Sequence, residues 1–318
     1  MPKISILVPI YNASDFLRQA LKSLVDQTLP DLEIICINDG STDNSLAIIQ
    51  EFAQQDQRIV VLDKPNTGYG DSINQGIKLA HGEYIGILEP DDYLEFNALE
   101  KLYQLANWHR ADIVKANYYL LENGQTRKLE PIRPQDTGKI IVPRQDHFIF
   151  RLPPAIWSAI YRREFLQENH LGFLPTPGAS YQDLGFNIKT LALAQRVILT
   201  TDAFLYYRMD NANSSSNSSG KLQCAPQEYA SIEQFLKQHH LEDLLPAITG
   251  AKFGNYLWNI LRLSGPAARE FYQTALTELR TAKAQGLLKR SEFVPRYWLL
   301  AQMMLRVPKL TERLLTLA

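Results

Sequence analysis

Four carboxylates stand where apolar runs end: Asp39, Asp91 and Asp92 in the first third of the chain, and Asp183 far downstream. The run Leu32-Glu33-Ile34-Ile35-Cys36-Ile37-Asn38-Asp39 enters the polar turn Gly40-Ser41, and Tyr84-Ile85-Gly86-Ile87-Leu88-Glu89-Pro90-Asp91-Asp92 is built the same way. In an open α/β sheet, ligands sit beyond the carboxyl ends of the strands. Acidic groups gathered there suit a divalent cation, or the N–H and O–H groups of a nucleotide. That chemistry points to an enzyme handling a nucleoside diphosphate.

Other polar groups fall at the same kind of place. Pro9-Ile10-Tyr11-Asn12 follows the first apolar run, and offers a ring to stack on a base and an amide to hydrogen-bond it. The plainer reading of that stretch is a turn rich in Pro and Asn. Asp39 is suited to accept the N3–H of uracil, while Ser41 to Asp43 also read as the cap of the next helix. Asn66-Thr67-Gly68-Tyr69-Gly70 and Asn74-Gln75-Gly76 carry glycines that let backbone approach a ligand closely. Neither GxGxxG after a strand nor GxxxxGK[ST] is present, which excludes a dinucleotide fold and a P-loop.

Alternating strand and helix signals position these groups. Strands are expected over Lys3 to Val8, Leu32 to Ile37, Arg58 to Leu62, Tyr84 to Leu88 and Asp112 to Tyr118. Between them, Ser14 is expected to cap a helix with Leu17, Ala20, Leu21, Leu24 and Val25 on its apolar face. Thr42 or Asp43 opens the next helix, and further helices cover Asp71 to Ala80 and Ala98 to Asn107. Repeated βα units of this length imply a mainly parallel sheet covered by helices on both faces. Glu122 to Pro143 reads as a loop or hairpin. Ile156 to Tyr161 and Val197 to Tyr207 are strands flanking a helix over Asp183 to Ala194. Asn211 to Gly220 is a polar linker or loop, and from Pro226 onward the pattern is helical.

Composition narrows the class. The chain has 318 residues, of which 45% are hydrophobic and 21% charged. Those shares are ordinary for a globular protein. A net charge of -1 speaks against a nucleic-acid binder. Two cysteines make no disulfide framework, and six scattered histidines make no HExxH spacing. The apolar run behind Lys3 is too short for a signal peptide, and no run reaches the roughly 18 to 20 residues of a membrane span. A cytoplasmic setting is expected, with peripheral contact at the inner face of the cell membrane as an addition.

Taken in order, Val8-Pro9-Ile10-Tyr11-Asn12, Asn38-Asp39-Gly40-Ser41-Thr42-Asp43, Asn74-Gln75-Gly76, Gly82-Glu83-Tyr84 and Glu89-Pro90-Asp91-Asp92 resemble the family 2 glycosyltransferases. The resemblance covers the first 120 or so residues, and continues loosely through Tyr181-Gln182-Asp183 and Leu205-Tyr206-Tyr207-Arg208 to Ser214. It implies a GT-A fold, a mainly parallel sheet flanked by helices, followed here by a C-terminal helical extension. It also implies a nucleotide-sugar donor, Mg²⁺ or Mn²⁺, and inversion at the anomeric carbon. By that resemblance Pro9, Tyr11 and Asn12 line the nucleoside pocket with Asp39 on the base, and Asn66, Gly68, Asn74 and Glu89 belong to the donor site. Asp91 is the metal ligand on the diphosphate, Asp92 its neighbour or second contact, Arg208 a closing contact on the phosphates, and Asp183 the catalytic base. A helix cap is the alternative role for Asp183, and Glu168 and Asp202 are the next candidate bases.

Three positions depart from the family pattern. Glu89 replaces the usual first Asp, Asn38 a frequent Asp, and Ile73 an Arg. The expected function is inverting transfer from a UDP-linked sugar to a hydroxyl of a glycan or lipid-linked acceptor, in bacterial surface polysaccharide synthesis. A noncatalytic nucleotide-sugar-binding subunit and a sugar nucleotidyltransferase are the rivals. The expected division is a glycosyltransferase domain over 1–222, with halves 1–121 and 122–222, and a helical region over 223–318. In the tail, Leu299, Met303 and Leu310 are expected to pack on the preceding helices. A basic amphipathic helix lying in a membrane interface is the other reading.

Overall fold

The computed structural model describes residues 1–178, 181–211 and 224–316. Two compact units emerge, one of Met1–Val142 with Pro153–Ser215, the other of Pro143–Leu152 with Ser216–Ala318. The segment Pro143–Leu152 falls in the second unit because its side chains are tied there. Arg144 pairs with Asp243 at 2.9 Å, and the His147 ring lies 3.2 Å from the Glu292 carboxylate.

The first unit is built on one nine-stranded sheet. Its elements run β1 (Ile4–Ile10), α1 (Ser14–Val25), β2 (Leu32–Asp39), α2 (Ser45–Gln55), β3 (Ile59–Lys64), α3 (Tyr69–Leu79), β4 (Tyr84–Ile87), β5 (Tyr93–Leu94), α4 (Ala98–His109), β6 (Ile113–Glu122), β7 (Gln125–Leu129), β8 (Ala159–Arg162), α5 (Arg163–Glu168), α6 (Gln182–Leu193) and β9 (Val197–Arg208). The order β3-β2-β1-β4-β8-β6-β9-β5 has β1 to β4 parallel, with β8 antiparallel to both β4 and β6. β6 and β9 are parallel, and β7 forms a hairpin with β6 through Asn123 and Gly124. β1 and β2 are buried at every residue, as strands covered on both faces must be. The mixed α/β sheet and the mainly parallel first half follow the sequence pattern.

Local details differ where distant residues intervene. Ser14 does not cap α1. Instead Asp43 Oδ2 accepts the Ser14 N–H at 3.0 Å, and Ser45 Oγ accepts that of Ala13 at 3.0 Å. A cap supplied from 29 and 32 residues away leaves no local signature. α2 begins at Ser45, whose N–H is held by Asp43 Oδ1 at 2.9 Å. Pro9 is tolerated in a central strand because β1–β4 pairing ends at Leu7 opposite Ile87. The face of β1 toward β4 carries Leu7 O, which accepts the Leu88 N–H, so the missing Pro9 donor points past the partner's end.

The second unit is helical: α7 (Cys224–Gln238), α8 (Leu245–Arg262), α9 (Gly265–Ala284), α10 (Pro295–Arg306) and α11 (Pro308–Thr316). Its core includes Tyr229, Tyr256, Phe271, Tyr272, Leu276 and Met304. The expected packing of Leu299, Met303 and Leu310 is not found. All three are exposed, and Ala301, Met304 and Thr311 take the inward positions. Among the described residues no helix is long and apolar enough to cross a membrane. The polar tract at 212–220 lies outside the described residues.

Candidate active site

The ends of β1 and β2 are laced together. Asn12, with φ at 50°, turns its amide so that Oδ1 accepts the Thr42 N–H at 2.8 Å, and its own N–H donates to Ser41 Oγ at 3.1 Å. Tyr11 beside it is 53% exposed, leaving a ring face open above the strand ends. Asp39 is buried, and its carboxylate accepts the N–H groups of Thr67 at 2.8 Å and Gly68 at 3.0 Å, together with the Lys64 ammonium. It therefore fixes the loop from β3 to α3. Gly40, at φ 71°, is required because a Cβ there would lie 2.8 Å from Asn66 N. Only glycine takes that backbone conformation without a steric cost. Asn66 itself is exposed at the rim.

Beyond β4 the carboxylates gather. Glu89 Oε1 accepts the Tyr69 hydroxyl at 2.6 Å. Burial, with Asp91 and Asp183 adding repulsion, pushes the Glu89 carboxyl up to about 8. Asp92 is 1% exposed; Oδ1 accepts the Arg208 N–H at 2.8 Å, while Oδ2 has no hydrogen-bond partner among the described residues. Burial and then Asp91 hold its carboxyl well above the ordinary range. Asp91 Oδ2 accepts from Asn211 Nδ2 at 2.8 Å. Asp183, in the first turn of α6, faces the same group of acids and adds its charge to the repulsion felt by Glu89. Burial raises it to about 6, against the opposing N–H groups of Leu184 and Asp183 and the charge of Lys115. Glu89 and Asp183 each keep part of their surface open within this apolar setting.

An aromatic bed accounts for that burial. Tyr69 meets Phe173 edge-on at 5.9 Å, Phe173 stacks on Phe186 at 4.2 Å, and Tyr161 meets Phe186 at 5.1 Å. Lys115 was missed by sequence reasoning. It is 4% exposed, donates to Ala155 O at 2.6 Å, and burial lowers its ammonium to about 7 against the pull of Asp183. The available signal was a lone lysine between Val114 and Ala116, in a strand rich in apolar and aromatic residues.

Several expected donor residues are held by the protein itself. Both ends of the Asn74 amide are used on Phe173, Oδ1 accepting its N–H at 2.8 Å and Nδ2 donating to its carbonyl at 2.9 Å. Arg208 donates from Nε to the Asp91 carbonyl at 3.0 Å and from a terminal nitrogen to Gln19 Oε1 at 2.8 Å, with its guanidinium over the Phe16 ring. Gly68, at φ 96°, lets the chain pass close to the segment before Asp183, where a Cβ would lie 3.0 Å from both Thr176 O and Gly178 N. That glycine serves an approach between backbone segments. Gln182 is buried and donates to Thr176 Oγ1 at 2.8 Å and Gly178 O at 3.2 Å. Trp157 stacks on Tyr207 at 4.9 Å, so one ring face is already covered. Glu168 and Asp202 are both exposed and lack the burial that lifts Asp183.

Known proteins share the sequence pattern and the fold. Residues 5–170 match the family model described as glycosyl transferase family 2. The uncharacterized glycosyltransferase EpsJ of Bacillus subtilis is 32% identical over 67% of this chain and 63% of its own length. The poly(ribitol-phosphate) beta-glucosyltransferase of Bacillus spizizenii is 31% identical over 64% of this chain and 32% of its own. The chain thus spans under two thirds of the length of either relative. In fold it is similar to S. aureus TarS 1-349 solved with UDP-GlcNAc, at TM-score 0.77 and 20% identity over 98% of this chain and 90% of that one. A mannosyltransferase from Pyrobaculum calidifontis, solved with GDP-Man and Mn2+, shares the fold at TM-score 0.53 and 17% identity, over 97% of this chain and 88% of that one. The matched domain, with the GT-A sheet under these carboxylates, makes this chain a member of glycosyl transferase family 2.

Proposed function

We propose that the protein transfers a sugar from a uridine diphosphate sugar to an acceptor hydroxyl with inversion. The observation that carries the reading is Asp183, a carboxylate raised to about 6 at the start of a helix, facing the Glu89–Asp91 acids. A base poised near neutral pH is the one best matched to taking a hydroxyl proton in the transition state. The acceptor oxygen forms its bond to the anomeric carbon as the bond to the diphosphate oxygen breaks on the opposite face. The hydroxyl proton passes to Asp183, and the electron pair leaves with the diphosphate. Tyr11 supplies a stacking face for the base, and Asp39 holds the loop that carries Asn66 and Gly68 beside it.

The donor set fits a hard divalent cation. Among the described residues no three His, Cys, Asp or Glu side chains form a cage. Mg²⁺ needs none when one or two carboxylates share it with phosphate oxygens. Asp91, and Asp92 through its unpartnered Oδ2, would hold Mg²⁺ or Mn²⁺. When bound, the cation would offset charge on the departing diphosphate. The likeness to a protein solved with UDP-GlcNAc supports the uridine donor. The named activity of the Bacillus spizizenii relative, glucosyl transfer to poly(ribitol-phosphate), supports a polymer hydroxyl as acceptor.

The test is turnover of a panel of nucleotide sugars with and without excess chelator, alongside calorimetry with UDP. UDP release that depends on Mn²⁺ and on one UDP-sugar is expected. Binding of UDP with full affinity in chelator would remove the cation from the donor site, and binding without any turnover would leave only a nucleotide-sugar-binding subunit.

A further inference from the structure

The last two helices turn several long apolar side chains outward. Leu299 and Met303 in α10, Val307 at the joint, and Leu310 and Leu314 in α11 are all exposed, Leu299 at 64% and Leu314 at 62%. Spacings of four residues put the pair in each helix on one side of it. The inward side of α11 is polar: Thr311 is 1% exposed and its hydroxyl lies 2.6 Å from the Tyr272 hydroxyl, which also donates to Pro308 O. A helix that packs by its apolar stripe does the reverse. Alongside the outward leucines, Arg296, Arg306, Lys309 and Arg313 are exposed. Glu312, the only acid in this stretch, is half-buried and accepts from Gln273 at 3.0 Å. Four basic residues less one acid give +3 over 295–316, whereas the chain as a whole carries -1, so the remainder carries -4.

We propose that this face docks on an anionic lipid surface, with α10 and α11 lying in the headgroup boundary. Long aliphatic side chains bordered by Lys and Arg are what an interfacial helix presents to lipid. The basic border specifies the sign of the partner, since juxtamembrane cationic clusters are drawn to the negative leaflet. A second copy bound through a two-fold axis would set this cationic face against itself. The proposal is independent of which donor the sheet unit binds.

Flotation of the full chain with vesicles of phosphatidylglycerol and phosphatidylcholine, against phosphatidylcholine alone, tests it. Binding is expected to be at least tenfold stronger to the anionic vesicles and to weaken with salt. Two variants are informative: Leu310→Ser with Leu314→Ser, and Arg306→Glu with Lys309→Glu and Arg313→Glu. Each should cut binding tenfold or more while helicity and melting stay native, because every altered side chain is exposed. Failure to float with anionic vesicles would overturn the proposal, as would flotation that neither variant changes. A native dimer in sedimentation that Leu310→Ser with Leu314→Ser converts to monomer would instead assign the face to a second copy.

Discussion

Asp39 at the end of β2 and the acids beyond β4 lie on either side of β1 in one sheet, yet their surroundings are opposite. Asp39 is compensated: a lysine and two backbone N–H groups meet its carboxylate, so its charge serves to hold a loop. Glu89 receives one neutral phenol and Asp92 one N–H; burial raises both carboxyls, Asp91 adds repulsion at each, and Asp183 adds to it at Glu89. The first arrangement gives rigidity. The second holds a repulsion that a cation, or a proton taken from substrate, relieves.

The largest expected effect comes from removing the base. Asp183→Asn keeps the shape of the side chain and its place at the start of α6, but gives no site for the acceptor proton. Turnover should fall by about 10²- to 10⁴-fold, the usual contribution of a positioned base, with UDP affinity nearly unchanged. Transfer at the native rate by a normally folded variant would place the base elsewhere and erase the functional contrast with Asp39.

A smaller effect tests the other side. Asp39→Ala strips the acceptor from two N–H groups and from Lys64, whose side chain is 8% exposed. Losing one partner of a buried pair costs about 3–5 kcal/mol, and leaving a buried donor unmade about 1–3 kcal/mol. Lys64 keeps Thr67 and has Asp71 3.7 Å away. A loss of about 2–3 kcal/mol is therefore expected in chemical denaturation. A variant with native stability but no UDP binding would make Asp39 a ligand group and not a loop anchor.

The strands and helices before Asn107, and the acids at strand ends, were legible because period-2 and period-3.6 patterns and turn residues are local signals. What was not legible depends on residues far apart in the chain. The sequence reads Asn74 as a donor contact and gives no sign that its amide also holds Phe173, 99 residues away. It reads Arg208 as a phosphate contact and gives no sign that the side chain holds the Asp91 carbonyl and Gln19. The tail shows a related limit. Its apolar spacing is visible in Leu299, Met303, Leu310 and Leu314, but periodicity carries no sign for which side faces inward. Thr311 decided that by bonding to Tyr272. Gln182 is visible beside Asp183 in the sequence, while its purpose, donation to Thr176 and Gly178, is not.

The finest test concerns Lys115, which stands between the two kinds of environment. Its charge opposes the burial that raises Asp183, and burial lowers its own ammonium to about 7. Lys115→Met keeps an unbranched side chain of similar length in β6 and removes the charge. Without that cation the Asp183 carboxylate loses a favourable partner, so its pKa must move further above about 6. Asp183 works as a base only when deprotonated. The acid limb of the rate profile should therefore shift to higher pH, and turnover on that limb should fall more than turnover on the alkaline side. A lysine that assists the leaving group behaves differently: its loss would depress the rate evenly at every pH below its own titration and leave the acid limb in place. Lys115→Arg offers a control, since a guanidinium preserves the charge across this range. Restoration of the native limb by Arg, with Met shifted upward, would identify Lys115 as the residue that positions the titration of Asp183; an unshifted limb in Lys115→Met would leave burial alone to set it.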